Sequence, residues 1–211
     1  MGNYQIIMKK IKRALISVSD KNNLIDLLKV LKKYNIEIIS SGGTFKEIRK
    51  LKYKCLEVSD YTKSPEILNG RVKTLHPKIH AGILSKRKNK SHQNDLKKYN
   101  FKEIDLVIVN FYPFEKTLDK TKKHSEIIEN IDVGGPTMVR AAAKNYNDVA
   151  VLTSSKQYGD LIDEIEKNKG STSLNFRERM SLEAFSETAY YDALISSYFN
   201  KITANRIFNF P

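Results

Sequence analysis

The run Leu106-Val107-Ile108-Val109 sets four apolar residues side by side, three of them β-branched, with no polar residue between them. A strand with one wet face alternates polar and apolar side chains. An unbroken run this short fits a strand covered on both faces, in the middle of a parallel sheet. Parallel neighbours cannot be joined by tight turns; they need crossover connections, usually helices.

The rest of the chain supplies them. Arg13 to Ser19, with Ala14-Leu15-Ile16-Ser17-Val18 at its centre, reads as a buried strand, and Ser19-Asp20 caps a helix from Asn22 to Lys33 whose Leu24, Leu27, Leu28 and Leu31 fall at helical spacing. Strands are predicted at Ile36 to Ser40 and Lys54 to Val58, with a helix over Phe45 to Leu51 between them. Asp60 to Asn69 reads as loop with a helical turn started by Ser64-Pro65-Glu66, and polar Lys86 to Lys98 as an exposed loop and helix. Beyond the strand Asp105 to Phe111, helices are predicted over Ser125 to Ile131, Met138 to Asn145 and Tyr158 to Lys167, with a strand at Asp148 to Thr153. Asn175 to Phe199 reads as one long helix or two. The pattern predicts an α/β fold with a mainly parallel sheet flanked by helices, and no internal repeats.

A chain of 211 residues with 40% apolar content can bury one substantial core. The expected organisation is a polar leader over residues 1–12, the α/β domain over 13–153 and a helical extension over 154–211. The net charge of +13 comes mostly from lysines spread along the whole chain. No basic run carries the interleaved aromatics of a single-strand platform, so the excess reads as solvated surface and no nucleic-acid partner is expected. No apolar run approaches the roughly eighteen residues of a membrane span, and the start lacks the features of a secretion signal, which predicts a cytoplasmic protein without membrane association. The single cysteine, Cys55, sits in an apolar-flanked run and reads as a buried thiol.

Chemistry-bearing residues gather at the strand ends. Gly70 to His80 brings Arg71, Lys73, Thr74, His76, Pro77 and His80 into eleven residues. Arg71 and Lys73, two apart, share one face of extended backbone, and a guanidinium fork beside an ammonium suits a phosphate or carboxylate. Ser41-Gly42-Gly43-Thr44 lies between a strand and a helix, a context that fits both a phosphate cradle and an ordinary tight turn. Asp132-Val133-Gly134-Gly135-Pro136 presents a second glycine pair before a helix, with Pro136 suited to its first position and Asp132 as the one carboxylate. Arg140 and Lys144 share a face of the alanine-rich helix that follows. Asn110-Phe111-Tyr112 emerges at the carboxyl end of the central strand, where open α/β sheets bind ligands, and Tyr112 fits either a ligand contact or a core aromatic. His76 and His80 have zinc-pair spacing, yet no third ligand lies nearby, so no metal is expected; His76 before Pro77 reads as orienting a loop or donating to substrate.

Taken together and in order, Ser17 to Lys21, Ser41 to Thr44, Gly70 to Pro77, Asn110 to Phe114, Asp132 to Gly135 and Arg140 to Asn145 resemble the inosine monophosphate (IMP) cyclohydrolase domain of the bifunctional purine-biosynthesis enzymes, which join it to an aminoimidazole carboxamide ribotide (AICAR) transformylase. The resemblance runs from about Arg13 to Phe199. It implies a methylglyoxal-synthase-like three-layer domain with a C-terminal helical extension, usually acting as a homodimer, that closes the ring of formyl-AICAR to IMP with loss of water and uses no cofactor. Position by position it implies substrate contacts at Ser19, Asp20, Lys21, Ser41, Gly42, Gly43, Thr44, Arg71, Val72, Lys73, Thr74, Val109, Asn110, Asp132 and Val133. It gives Lys144 as proton donor and acceptor, with Lys73, Tyr112 and Asp132 around the reacting groups. Which of Lys144, Lys73 and Asp132 moves which proton stays open. The chain stops near where the transformylase part would begin, so formyl transfer is not expected of it. The competing expectations are a methylglyoxal synthase, which shares the fold, and a nucleotide-binding regulatory module, which needs the phosphate cradle but no proton carrier.

Overall fold

Every apolar side chain of the 106–109 run is buried, and the strand they form has a parallel neighbour on each side. A computed structural model describes residues 7–203 of the chain. It contains β1 (Lys9–Lys10), β2 (Arg13–Val18), α1 (Leu24–Lys33), β3 (Glu37–Ser40), α2 (Gly42–Lys50), β4 (Leu56–Glu57) and α3 (Val58–Thr62). After these come α4 (Pro77–Leu84), α5 (Lys90–Lys98), β5 (Leu106–Asn110), α6 (Phe114–Lys120), α7 (His124–Glu129) and α8 (Gly134–Lys144). The chain continues with β6 (Ala150–Leu152), α9 (Tyr158–Lys167), β7 (Ser171–Thr172) and α10 (Leu174–Thr203).

The main sheet has the order β4-β3-β2-β5-β6, and every neighbouring pair is parallel. The chain steps outward from β2 to β3 and β4, then returns to the other side of β2. The order therefore reverses between β2 and β5, and a crevice opens at their carboxyl ends. Register brings Val18 opposite Asn110 there. Helices cover both faces because β2 and β5 are apolar on both: Leu24, Leu27, Leu28 and Leu31 of α1 are buried at their predicted spacing, as are Met138, Val139 and Ala142 of α8.

Four local expectations change. The helix expected from Phe45 begins at Gly42, so the glycine pair is inside its first turn. The helix expected from Met138 begins at Gly134, and Pro136 is its third residue; a missing N–H costs nothing there, because first-turn donors have no intrahelical acceptor. A short helix, α3, lies where strand end and loop are expected, and a second, α6, anchored by the buried Phe114, occupies a stretch for which the sequence predicts no element. The leader expected over residues 1–12 is part of the fold from Lys9: β1 pairs antiparallel with β7, and Ile11 is 1% exposed. Residues 1–6 and 204–211 lie outside the described residues.

Residues 174–203 form one continuous helix, which settles the choice between one and two. Phe176, Met180, Ala184 and Tyr191 bury one side of it in the same hydrophobic cluster as the strands. Arg177 is fully buried within that helix, and its guanidinium donates to the carbonyls of Ile7, Tyr146, Asn147 and Thr172. One rigid cationic fork thereby ties the chain start, the β6 entry and β7 to α10. Among the described residues no helix is long and apolar enough to cross a membrane.

Candidate functional site

The polar ends of β2 and β5 are locked to each other. Asn110 Oδ1 accepts from the Ser19 and Asp20 N–H groups at 2.6 and 3.0 Å, and Asn110 Nδ2 donates to the Asp20 carbonyl. The Asp20 carboxylate accepts from Ser155 Oγ at 2.6 Å and from the Asn22 N–H, and these bonds, the first above all, hold its pKa below the usual carboxylate range. Lys116 and Ser155 join Ser19, Asp20 and Asn110 around a cavity of about 430 Å³ at this reversal point.

One strand over, the Thr44 hydroxyl accepts from the Val18 N–H and donates to the Val18 carbonyl, both at 2.9 Å. This buried staple fixes the start of α2 against the end of β2. The Thr44 side chain, expected to contact substrate, is thus engaged in the fold. Gly42 adopts a left-handed backbone (φ +55°), and a Cβ there would stand 3.2 Å from Lys73 Nζ; at Gly43 a Cβ would stand 4.0 Å from Lys21 Nζ. The glycine pair therefore has an ammonium group beside each member, Lys21 from the end of β2 and Lys73 from the loop before α4. Backbone donors at a helix start with two nearby ammonium groups make an anion cradle.

The loop that delivers Arg71, Val72, Lys73 and Thr74 is closed by the bridge between Ile67 and Val72. Leu68, Asn69 and Gly70 are all left-handed within it, and for Leu68 this is strained. Two acids that sequence reading did not single out hold the cations: Glu66 pairs with Lys73 at 2.9 Å, and Glu129 pairs with Arg71 through a two-pronged contact. His76 caps α4, its Nδ1 accepting from the Lys78 N–H at 3.1 Å, which bears out its reading as a loop-orienting residue. His80 donates to the Thr74 carbonyl, and burial pushes its pKa below the ordinary imidazole value.

Asp132 lies just before α8. Its carboxylate accepts from the Gly135 N–H at 2.8 Å and from the backbone N–H groups of Tyr112 and Gly134; burial nevertheless pushes its pKa above the usual range. A Cβ on Gly134 would come within 2.8 Å of Thr74 Oγ1, so the cation loop abuts the start of α8. Tyr191, on distant α10, receives the Asp132 N–H at 2.8 Å. No local motif marks it. The Tyr112 ring is 58% exposed, so of its two readings the core aromatic is excluded. Val109 is 1% exposed within β5, which leaves only its backbone for a ligand.

Lys144 is not with this group. α8 runs from the carboxyl edge, where the Tyr112 N–H reaches Asp132, to the amino edge, where Asn145 leads into β6. At about 1.5 Å per residue the helix puts Lys144 roughly 15 Å from Gly134. There it lines a groove of about 570 Å³ with Arg140, His80 and Phe185. The structure therefore brings Lys21, Lys73, Arg71, Thr74 and Asp132 to one edge and leaves Lys144 at the other.

The sequence model of the MGS-like domain family matches residues 23–137, more than half of the chain. The chain belongs to the MGS-like domain family. A second family model, that of the AICARFT/IMPCHase bienzyme, matches residues 142–210 of this MGS-like protein. Curated relatives named bifunctional purine biosynthesis protein PurH are 48% identical over 193 residues in Bradyrhizobium diazoefficiens and 50% identical over 188 residues in Clostridioides difficile. These alignments cover 92% and 89% of the chain, and 36% of the relative in each case. The chain thus spans about a third of the length of the curated relatives it matches. The crystal structure of ForH is 30% identical, with a TM-score of 0.79, and the match covers 90% of this chain and 99% of that one. The boundary between the two family matches falls inside α8, and one hydrophobic cluster spans both, so they are not two separately packed units.

Proposed function

We propose that this MGS-like chain is an IMP cyclohydrolase that converts formyl-AICAR to IMP and water. The observation that carries the reading is the carboxyl edge itself: the glycine pair of α2 with Lys21 and Lys73 beside it, and the desolvated Asp132 across the Thr74 contact. Of the first part, the glycine pair with Lys21 suits the dianionic phosphate of a nucleotide. The second suits a reaction that must take a proton from a weakly acidic amide nitrogen. The substrate carries both reacting groups, so proximity comes with it; the protein has to orient the formyl group and stabilise the oxyanion that forms on it.

In this reading Lys73 and the Tyr112 hydroxyl stabilise that oxygen, and Asp132, whose burial favours proton uptake, exchanges the proton. Arg71 and Lys21 hold the phosphate. Lys144 is the further proton carrier that the resemblance implies, and it lies a helix length from Asp132 along α8. The curated relatives' names, which join two functions, support the purine pathway as setting; an AICAR transformylase activity belongs in this proposal to the remainder of such a longer protein.

The test is the ultraviolet absorbance change when the purified chain meets formyl-AICAR, with IMP identified chromatographically. Turnover by the wild-type chain that falls at least about a hundredfold in Lys73→Ala and in Asp132→Asn is the expected result, the size expected for losing an oxyanion donor or a proton carrier. Tight IMP binding with no turnover would instead identify a nucleotide-binding module.

A further inference from the structure

Three cations reach the carboxyl edge, and their counter-charges differ. Lys21 has none: among the described residues no ion pair includes it, and its ammonium donates only to the Ser19 carbonyl at 3.4 Å. Arg71 is paired with Glu129, but both side chains are more than half exposed, and the contact uses Nε and Nη2 and leaves Nη1 open. Water screens such a pair, so an anionic ligand exchanges for it readily. Lys73 is different. Its side chain is only 25% exposed, and its ammonium stands 2.9 Å from a Glu66 carboxylate oxygen.

The loop itself builds that pair. Ile67 and Val72 exchange both backbone hydrogen bonds, at 3.2 and 3.3 Å. The next pair outward in an antiparallel ladder brings its side chains close together on one face, and here that pair is Glu66 and Lys73. Leu68, in the turn that closes the ladder, is left-handed and 66% exposed, so no burial compensates its backbone. Gly70 has a steric reason as well: a Cβ there would lie 2.6 Å from Glu66 Oε1 and 4.0 Å from Lys73 Nζ. The ammonium thus sits between Gly42 and Gly70, and the carboxylate rests where a side chain at 70 would be.

Charge is therefore uneven along the glycine pair of α2. Beside Gly43 stands an ammonium with no carboxylate, and beside Gly42 one that Glu66 already offsets. A phosphate dianion at Gly42 would meet the Lys73 ammonium and the Glu66 carboxylate together, a like-charge contact that works against binding. An uncharged carbonyl meets no such repulsion, and an ammonium has three N–H donors to share between it and Glu66.

We propose that Glu66 is a specificity-determining residue: its carboxylate keeps phosphate off Lys73 and directs it to Lys21, so that the substrate enters in one orientation with its uncharged reacting end at Lys73. The placement of the reacting end rests on the cyclohydrolase reading; the exclusion of phosphate from Lys73 rests on the charge arrangement alone.

Inorganic phosphate tests the exclusion without turnover, with the backbone amide NMR signals of Gly42 and Gly43 as reporters. The wild-type chain is expected to show a saturable shift centred on Gly43 that Lys21→Ala abolishes. Glu66→Gln keeps an oxygen that accepts from the ammonium and removes the charge. Added to Lys21→Ala, it should restore phosphate binding, now centred on Gly42 and at least about tenfold tighter than in Lys21→Ala alone, and further addition of Lys73→Ala should remove it. Wild-type phosphate affinity in Lys21→Ala, or no binding restored by Glu66→Gln in a chain whose other amide signals are unchanged, overturns the proposal. Turnover of formyl-AICAR gives a second readout. An unproductive orientation in Glu66→Gln lowers kcat and KM by the same factor and preserves kcat/KM, whereas a fall of about tenfold or more in kcat/KM with KM unchanged places Glu66 in the chemistry and overturns its directing role. An inactive wild-type chain overturns the cyclohydrolase reading, while the phosphate titration still decides the role of Glu66.

Discussion

Asp132 is held by three backbone N–H groups and still loses more from burial than it gains, so its charge is a cost to the fold that the site retains. The consequence for stability has a definite sign. A carboxyl whose folded pKa lies above its unfolded value binds more protons in the folded state across that interval, and stability falls as pH rises through it. The chain with Asp132 should therefore be stabler relative to its Asp132→Asn counterpart at about pH 4 than at about pH 7. Urea unfolding of both chains at the two pH values measures the difference; an equal difference at both would mean that Asp132 is not desolvated. At this scale the sequence is legible where a residue acts through its own neighbours. The glycine pairs and the cations of Gly70 to His80 stand out because their chemistry is local. Glu66, Glu129 and Tyr191 do not, because each matters through a partner that only folding brings near.

Elements follow the same division. Apolar periodicity located the helices that bury a full stripe, and α1 and α9 match it closely because their buried leucines and isoleucines report contact with the sheet. The short α3 and α6 bury too few residues to leave a periodic signal. The start of α2 was misplaced for another reason: the Thr44 hydroxyl bonded to Val18 lets the helix begin on glycines that would not start one alone. α10 depends on one residue that no pattern would place in a core. Replacing Arg177 by methionine keeps the packing but orphans four carbonyls, and should cost roughly 3 kcal/mol or more, as several lost buried hydrogen bonds at about 1 kcal/mol each would. Arg177→Lys should rescue little, since an ammonium cannot span carbonyls that a guanidinium fork reaches together. Denaturant midpoints of the two variants against wild type check both statements.

For the whole molecule, the division into a domain over 13–153 and an extension over 154–211 becomes a question of cooperativity. Leu161, Ile165, Phe176, Met180 and Ala184 share the hydrophobic cluster of β5, β6 and α8. A fragment ending at residue 153 would expose that face, and we expect it to lack the cooperative unfolding transition of the full chain; a cooperative melt of the fragment would restore the two-part description. The amino acid order by itself determined the layered α/β architecture, since an unbroken apolar strand must be covered on both faces and the helical periodicities show what covers it. It also determined which loops carry anion-binding chemistry, since glycine, lysine and arginine declare that in their own segments. Only the tertiary structure decided that the strand order reverses between β2 and β5, that Lys73 stands over Gly42, and that Lys144 lies a helix length from Asp132. Those are distances between segments far apart in the chain, set by sheet register and helix length, and local residue preferences carry no record of them.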